Sequence, residues 1–304
     1  MAHSRFIKDA GLTARMTLVM FLLGALFVAL VVGLMVFVGG DNPGIVILIG
    51  VAGIGVAFYQ WWSSDKLAMK AMRAREVTPE EAPELHGMID RLCALADMPK
   101  PRVGIADMDL PNAFATGRSP DRSVVCVTTG ILQLLDAEEL EAVLAHELSH
   151  VAHRDVLVMT LASSAGILAG MLTRGAQFGG LSRGRNSGGF PAVIIALVVS
   201  LVVYAVSFIL LRLLSRYREL CADRSGAYLT MKPQALASAL TKISGGAGAI
   251  PQKDLRANSA VNSLFIVPAV AGISMKTLTA THPSLEQRLE QLARIQAELS
   301  RPMG

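Results

Sequence analysis

Asp136-Ala137-Glu138-Glu139-Leu140-Glu141-Ala142-Val143-Leu144-Ala145-His146-Glu147-Leu148-Ser149-His150-Val151-Ala152-His153 is the stretch around which the chain organises itself. Asp136 with Glu139 three residues later is a capping-box start, so a long helix is predicted from there through His153. On a helix, residues four apart lie on one face, one turn apart. His146 and His150 can therefore reach a single metal ion together. Glu147 lies about a third of a turn from His146. That is close enough to address a water molecule at the metal without being a ligand. A chance HxxxH on an exposed helix is the competing reading, and the amphipathic, capped context argues against it.

Catalytic zinc takes three protein ligands and keeps one position open. The short histidine-to-glutamate spacing of soluble zincins is absent, and the candidate lies much further on, at Arg218-Glu219-Leu220-Cys221-Ala222-Asp223. Glu219 and Asp223 share a helical face. In one reading Glu219 is the third ligand and Asp223 hydrogen-bonds a ligand histidine, fixing its tautomer. In the other, Glu219 is a solvated charge paired with Arg216 or Arg218. Spacing leaves both open. Cys221 sits about 200° round the helix from Glu219 and is excluded.

The segments around these motifs are strongly apolar. Of 304 residues 52% are hydrophobic and 17% charged, with mean hydropathy +0.48; soluble chains carry about 45–50% and about 25%. Met16 to Val38 is an uncharged run long enough to cross a hydrocarbon core of about 30 Å. A signal peptide would have a shorter apolar region and a small-residue cleavage site, so the run reads as an anchor. Gly39-Gly40-Asp41-Asn42-Pro43-Gly44 is a turn, and Ile45 to Trp62 returns, with Tyr59, Trp61 and Trp62 suited to a headgroup belt. Arg5, Lys8 and Arg15 before this hairpin, and Lys66, Lys70, Arg73 and Arg75 after it, place both flanks in the cytoplasm. Val156–Leu172 is a marginal span and Pro191–Leu214 a clear one. The connector between them carries Arg174, Arg183 and Arg185 and no acid, so two full crossings compete with a re-entrant hairpin.

The expected organisation is thus an N-terminal transmembrane hairpin (1–62), a cytoplasmic part with the HExxH helix (63–155), a second membrane hairpin (156–214) and a cytoplasmic part with the third ligand and C-terminal helices (215–304). The first cytoplasmic part should open with a helix at Thr78-Pro79-Glu80-Glu81, with Leu85, Ile89, Leu92 and Leu95 on its apolar face, ended by Pro99 to Pro101. Short strands are expected near Arg102–Ala106, Ala113–Ala115 and Val124–Thr128. In the C-terminal part a loop is expected around Gly245–Gly248, and a helix over Ser284–Leu299 with Pro283 at its first position. His3 and His86 belong to no motif and read as surface residues. Cys93, Cys126 and Cys221 form no CxxC and read as reduced thiols. A net charge of +4 without a basic stripe or phosphate loop excludes nucleic acid as a partner.

HELSH at 146–150, RELCAD at 218–223 and the apolar runs before and between them resemble the HtpX family, bacterial heat-shock membrane metalloproteases related to the CAAX prenyl proteases. The resemblance implies one zinc held by His146, His150 and Glu219, with Glu147 as base and Asp223 in support. The fold it implies is mainly α with a small β-sheet: an integral membrane protein with about four transmembrane helices and a zincin-like cytoplasmic metalloprotease domain. Pro111-Asn112-Ala113-Phe114-Ala115 is similar to the family's edge-strand segment, so Asn112, Ala113 and Ala115 are expected to align substrate backbone; taken alone, Asn112 after proline is a turn residue. Thr281-His282-Pro283 with Arg288 is similar to a C-terminal motif beside the metal, which makes His282 or Arg288 a donor to the developing oxyanion; taken alone, His282 simply precedes a helix. One departure is His153-Arg154-Asp155, where the family often has a small residue before the aspartate. The expected function is endoproteolysis of misfolded membrane proteins at the cytoplasmic face of a bacterial inner membrane, with membrane lipid as the surrounding partner. A prenyl-protein processing enzyme and a non-catalytic zinc-holding scaffold, closed by His282 as fourth ligand, are the alternatives.

Overall fold

The computed structural model describes residues 10–37, 43–160, 190–249 and 283–301. The chain divides into two compact units, one gathering Trp62–Val156 with the chain from Ser215 onward, the other Ala14–Trp61 with Leu157–Leu214.

The second unit is helical where described. Its helices α1 (Ala10–Phe37) and α2 (Pro43–Trp62) follow the two N-terminal apolar runs as continuous backbone helices of 28 and 20 residues. Counted over the described side chains alone, no helix is long and apolar enough to cross a membrane. The 39–42 turn and most of the 156–172 run lie outside the described residues.

In the first unit, α3 (Ser64–Ala71) leads into β1 (Ala74–Glu76), then come α4 (Pro83–Ala96), β2 (Arg102–Ala106), β3 (Ala113–Ser119) and β4 (Arg122–Thr128). The four strands form one sheet in the order β1-β2-β4-β3, with β2 and β4 parallel and the other two pairings antiparallel. Strand side chains alternate between faces, and the two faces have different covers. Val103, Val125 and Val127 pack with Ile89 and Leu92 of α4 and with the helices that follow. On the other face Phe114 and Cys126 meet Ala68 and Met72 from α3 and its end. Each fully buried side chain of this kind contributes about 1.5–3 kcal/mol.

After the short α5 (Thr129–Leu134), α6 (Ala137–Ala152) carries HELSH and begins with the expected capping box of Asp136 and Glu139. A single helix, α7 (Phe190–Thr230), covers both the Pro191–Leu214 run and RELCAD; it is followed by α8 (Pro233–Ala249) and α9 (Leu285–Leu299). Gln291 of α9 donates to the Leu220 carbonyl (2.9 Å), while Leu292 and Ile295 reach the main core.

Local expectations differ at five places. Thr78–Glu81 closes a turn, with the Thr78 carbonyl accepting from Glu81 and Ala82, and the helix starts only at Pro83, where proline's missing N–H is harmless. Leu95 is exposed, and Cys93 and Ala96 complete the buried face instead. His86 is buried, its Nε2 3.0 Å from the Val77 carbonyl, because the apolar face of α4 is broad enough to include it. Helix α8 runs through Gly245–Gly248. Ser284 is the N-cap of α9 and Pro283 lies before it: the Ser284 hydroxyl accepts from the Gln287 N–H while the Gln287 side chain accepts from the Ser284 N–H in return.

Candidate metal centre

The buried face of α6 places His146 and Glu147 at 1% and 5% exposure, in the middle of the first unit. The last third of α7 lies against it with Glu219, Asp223 and Gly226, one stripe at helical spacing. A Cβ on Gly226 would meet the His146 backbone N at 2.9 Å and Cα at 3.1 Å. That close approach is what brings Glu219 within reach of the histidines. Gly226→Ala should raise helix propensity by about 1 kcal/mol and still lower metal affinity about tenfold, measured by competition with a chromophoric chelator. Unchanged affinity would show that the approach is not needed.

His146 Nε2 and His150 Nε2 are 3.3 Å apart. Glu219 closes the triangle, with Oε2 3.6 Å from His146 Nε2 and Oε1 3.5 Å from His150 Nε2. Ligands at about 2.0–2.1 Å on a tetrahedron are separated by ~3.3 Å, so the donor triangle has the size of one face of a zinc site. Two imidazoles and a carboxylate are also the donor set of a catalytic rather than a closed structural zinc. Among the described residues these three form the cluster that could hold a metal.

Both histidines face carboxylates through Nδ1, which leaves Nε2 free to bind metal. His146 Nδ1 is 2.9 Å from Asp223 Oδ1, and His150 Nδ1 is 2.6 Å from Asp155 Oδ2. Each carboxylate is in turn held by an arginine. Arg288 donates from Nε to Asp223 Oδ2 (2.7 Å) and from Nη2 to Oδ1 (2.6 Å), and Arg218 Nη2 is 2.9 Å from Asp155 Oδ2. Burial pushes both carboxyls up, but the arginines and histidines outweigh it, holding Asp155 at about 2 and Asp223 below its usual range. Burial also opposes charge on His146, yet Asp223 and Glu219 push it up to about 10. The cluster thus favours a positive charge at this point, which a bound cation provides. Glu147 is raised by burial, against the pull of His146 and His150, and accepts from the Ala115 backbone N–H. A raised carboxylate is suited to taking and returning a proton near neutral pH.

Several assignments change in this frame. Arg288, expected as an oxyanion donor, spends two of its three nitrogens on Asp223, and its Nη1 lies 3.9 Å from Glu219; it positions the carboxylates. His282 lies outside the described residues. Asn112 has its backbone N–H on Thr128 Oγ1 (2.9 Å) and its carbonyl on the Thr128 N–H (2.9 Å), so it belongs to the sheet interior. In an antiparallel pair each residue turns both backbone groups to the same side. Asn112 faces β4, so Ala113, Ala115 and Gly117 turn theirs to the open edge of β3, and Ala115 already meets Glu147 there. Gly117, at φ 148°, begins a bulge where a Cβ would meet the Arg122 carbonyl at 2.3 Å. Sequence reasoning misses Asp155, although a partner for His150 is required by the same logic that singles out Asp223, and Asp155 is the first carboxylate after it. Cys93 and Cys126 are buried thiols, pushed up by burial to about 11 and about 12.

An HExxH helix, a glutamate from a later helix and a sheet edge beside them are the arrangement of a metallopeptidase. The chain belongs to peptidase family M48, whose model matches residues 79–296. Protease HtpX homolog 1 of Streptomyces coelicolor is 52% identical over 299 residues, covering 98% of this chain and 97% of that one. The Protease HtpX homolog of Moorella thermoacetica is 48% identical, covering 96% and 97%. The HtpX resemblance drawn from HELSH and RELCAD therefore holds. The crystal structure of S. mikatae Ste24p matches with a TM-score of 0.56 at 17% identity, a likeness of fold. That match covers 92% of this chain and 65% of the other, so this chain spans less than two thirds of that structure.

Proposed function

We propose that this protein is a membrane-embedded zinc endopeptidase that cuts misfolded or damaged membrane proteins from the cytoplasmic side. The observation that carries the reading is the His146–His150–Glu219 triangle with Glu147 held beside it by the open edge of β3. Zinc, when bound, supplies a Lewis acid that polarises water and the scissile carbonyl. Glu147 takes a proton from the attacking water and returns it to the leaving amine. The Ala115 carbonyl and the outward backbone groups of Gly117, both half-buried where Ala113 is buried, pair with an extended substrate chain, which favours broad specificity because main chain is common to all substrates. Asp223 and Asp155 keep the two histidines turned for metal binding, and Arg288 and Arg218 hold those carboxylates.

Membrane residence is supported by large apolar side chains left exposed along three helices, including Phe21, Leu48, Ile54, Phe58, Leu201 and Val202. Such surface is unfavourable in water and ordinary in lipid. Lys66, Lys70 and Arg73 are exposed just after α2, as the cytoplasmic side of a membrane hairpin favours. The four-span arrangement is part of this proposal.

Two measurements test it. The purified full chain, loaded with zinc, should cleave an unmodified loop of a membrane protein at least as well as a prenylated peptide; strict dependence on the prenyl group would favour the processing enzyme. Single cysteines placed at Lys70 and within 173–190 should be labelled with membrane-impermeant reagent on intact and inverted vesicles, against the unaltered chain as background. Labelling of position 70 from outside sinks the cytoplasmic orientation, while external labelling of 173–190 establishes four spans and its protection a re-entrant hairpin.

A further inference from the structure

We infer that Arg154 gives the peptidase a preference for substrates carrying an acidic side chain at one position beside the scissile bond. The inference rests on the proteolytic reading and adds the chemistry of the substrate side chain to it.

A narrow groove lies between β3 and the C-terminal end of α6, lined by Ala115, Gly117, His150, Arg154, Asp155 and Val156, among others. Its lining thus includes His150 of the histidine–glutamate triangle and part of the β3 edge. An extended chain laid along β3 from the metal must pass Arg154. Successive side chains of such a chain point to opposite faces, so every second residue at most can meet the guanidinium, and the preference is confined to one position.

Arg154 follows His153, the C-cap of α6, and adopts φ 55°. For a residue with a Cβ this conformation costs about 1–2 kcal/mol, and glycine would avoid it. Arg73, Asp97 and Met231 take the same conformation at other helix ends, so what sets Arg154 apart is its place in the groove. The side chain is exposed, and among the described residues no ion pair involves it. The other charged side chains of this region have contacts of their own. Asp155 is taken by His150 and Arg218, and Arg118 stacks over the Trp62 ring at 3.7 Å. Asp121 and Arg122, both exposed at the tip of the β3–β4 hairpin, offset one another in charge. Among the described residues the lining thus includes one charged group without an ion-pair partner, the Arg154 guanidinium, a planar fork that matches a carboxylate.

The test uses the zinc-loaded full chain in detergent and a set of internally quenched peptides that differ only in having Glu, Gln or Lys at successive positions on either side of the cut. The wild-type chain should favour Glu over Lys at one position by about three- to tenfold in kcat/KM, mainly through KM, and the ratio should shrink at high salt. R154G, which also relieves the backbone, should bring that ratio to about one with thermal stability equal or higher. R154K should keep part of the preference and R154E should invert it. A ratio that survives in R154G, or a flat series with the wild-type chain, overturns the role of Arg154 while leaving the peptidase reading intact. A wild-type chain that cleaves none of the peptides overturns both.

Discussion

Glu147→Gln should bind as much metal per chain as the parent and lose roughly 10²–10⁴-fold in turnover. The substitution keeps the size of the side chain and an oxygen to accept from the Ala115 N–H, so the groove and the histidine pair stay as they are. Neither Glu147 oxygen belongs to the His146–His150–Glu219 triangle, and metal content should not change. What disappears is the capacity to accept and return a proton. The loss should fall on kcat, because nothing in the binding edge of β3 is altered. Metal analysis of the purified variant and cleavage of a membrane-protein loop check it together, and undiminished cleavage would remove Glu147 from the mechanism.

Arg288→Met should destabilise the metal-free protein by about 3–5 kcal/mol, the size of the effect when one partner of a buried ion pair is removed. Asp223 is fully buried and receives two hydrogen bonds from that guanidinium, so without them its charge remains in the core facing, among the described residues, only His146. The melting temperature should fall by roughly 6–20 °C for a unit of this size. Zinc affinity should drop with it, since the carboxylate that orients His146 loses its anchor. Combining Arg288→Met with Asp223→Asn should recover part of the stability, because the stranded charge is then gone, but not the zinc affinity. An unchanged melting temperature in the single variant would show that the pair is not the support the geometry indicates.

Much of the centre is legible in the amino-acid sequence. HELSH on a capped helix places two candidate ligands and a candidate base, and the ExxxD spacing of Glu219 and Asp223 offers a third candidate ligand and its supporting carboxylate. These readings need only helical geometry, in which separations of three and four residues fix which side chains are neighbours. The left-handed residue Arg154 is visible in sequence only as a departure from the family's small residue; its φ and its place in a groove are not. Asp155 follows the end of α6, where the path of the chain is set by that single left-handed residue and not by a repeating pattern. Asn112 reads as part of the binding edge because it adjoins Ala113 and Ala115, but a shift of one residue along a strand turns the backbone groups to the other side.

The sequence by itself thus determined the metal-binding helix, the likeness to HtpX proteases, the apolar runs, and the pairing of Glu219 with Asp223 on one face. The tertiary structure alone decided that Arg288 grips Asp223 across 65 residues, that Arg218 and Asp155 do the same for His150, and that Gly226 lets α7 approach His146 closely enough for Glu219 to complete the triangle. The difference is physical. Contacts within one helix follow from its fixed rise and turn, whereas contacts between elements depend on which side chains are small enough, and which charges well enough paired, for two helices to be packed together.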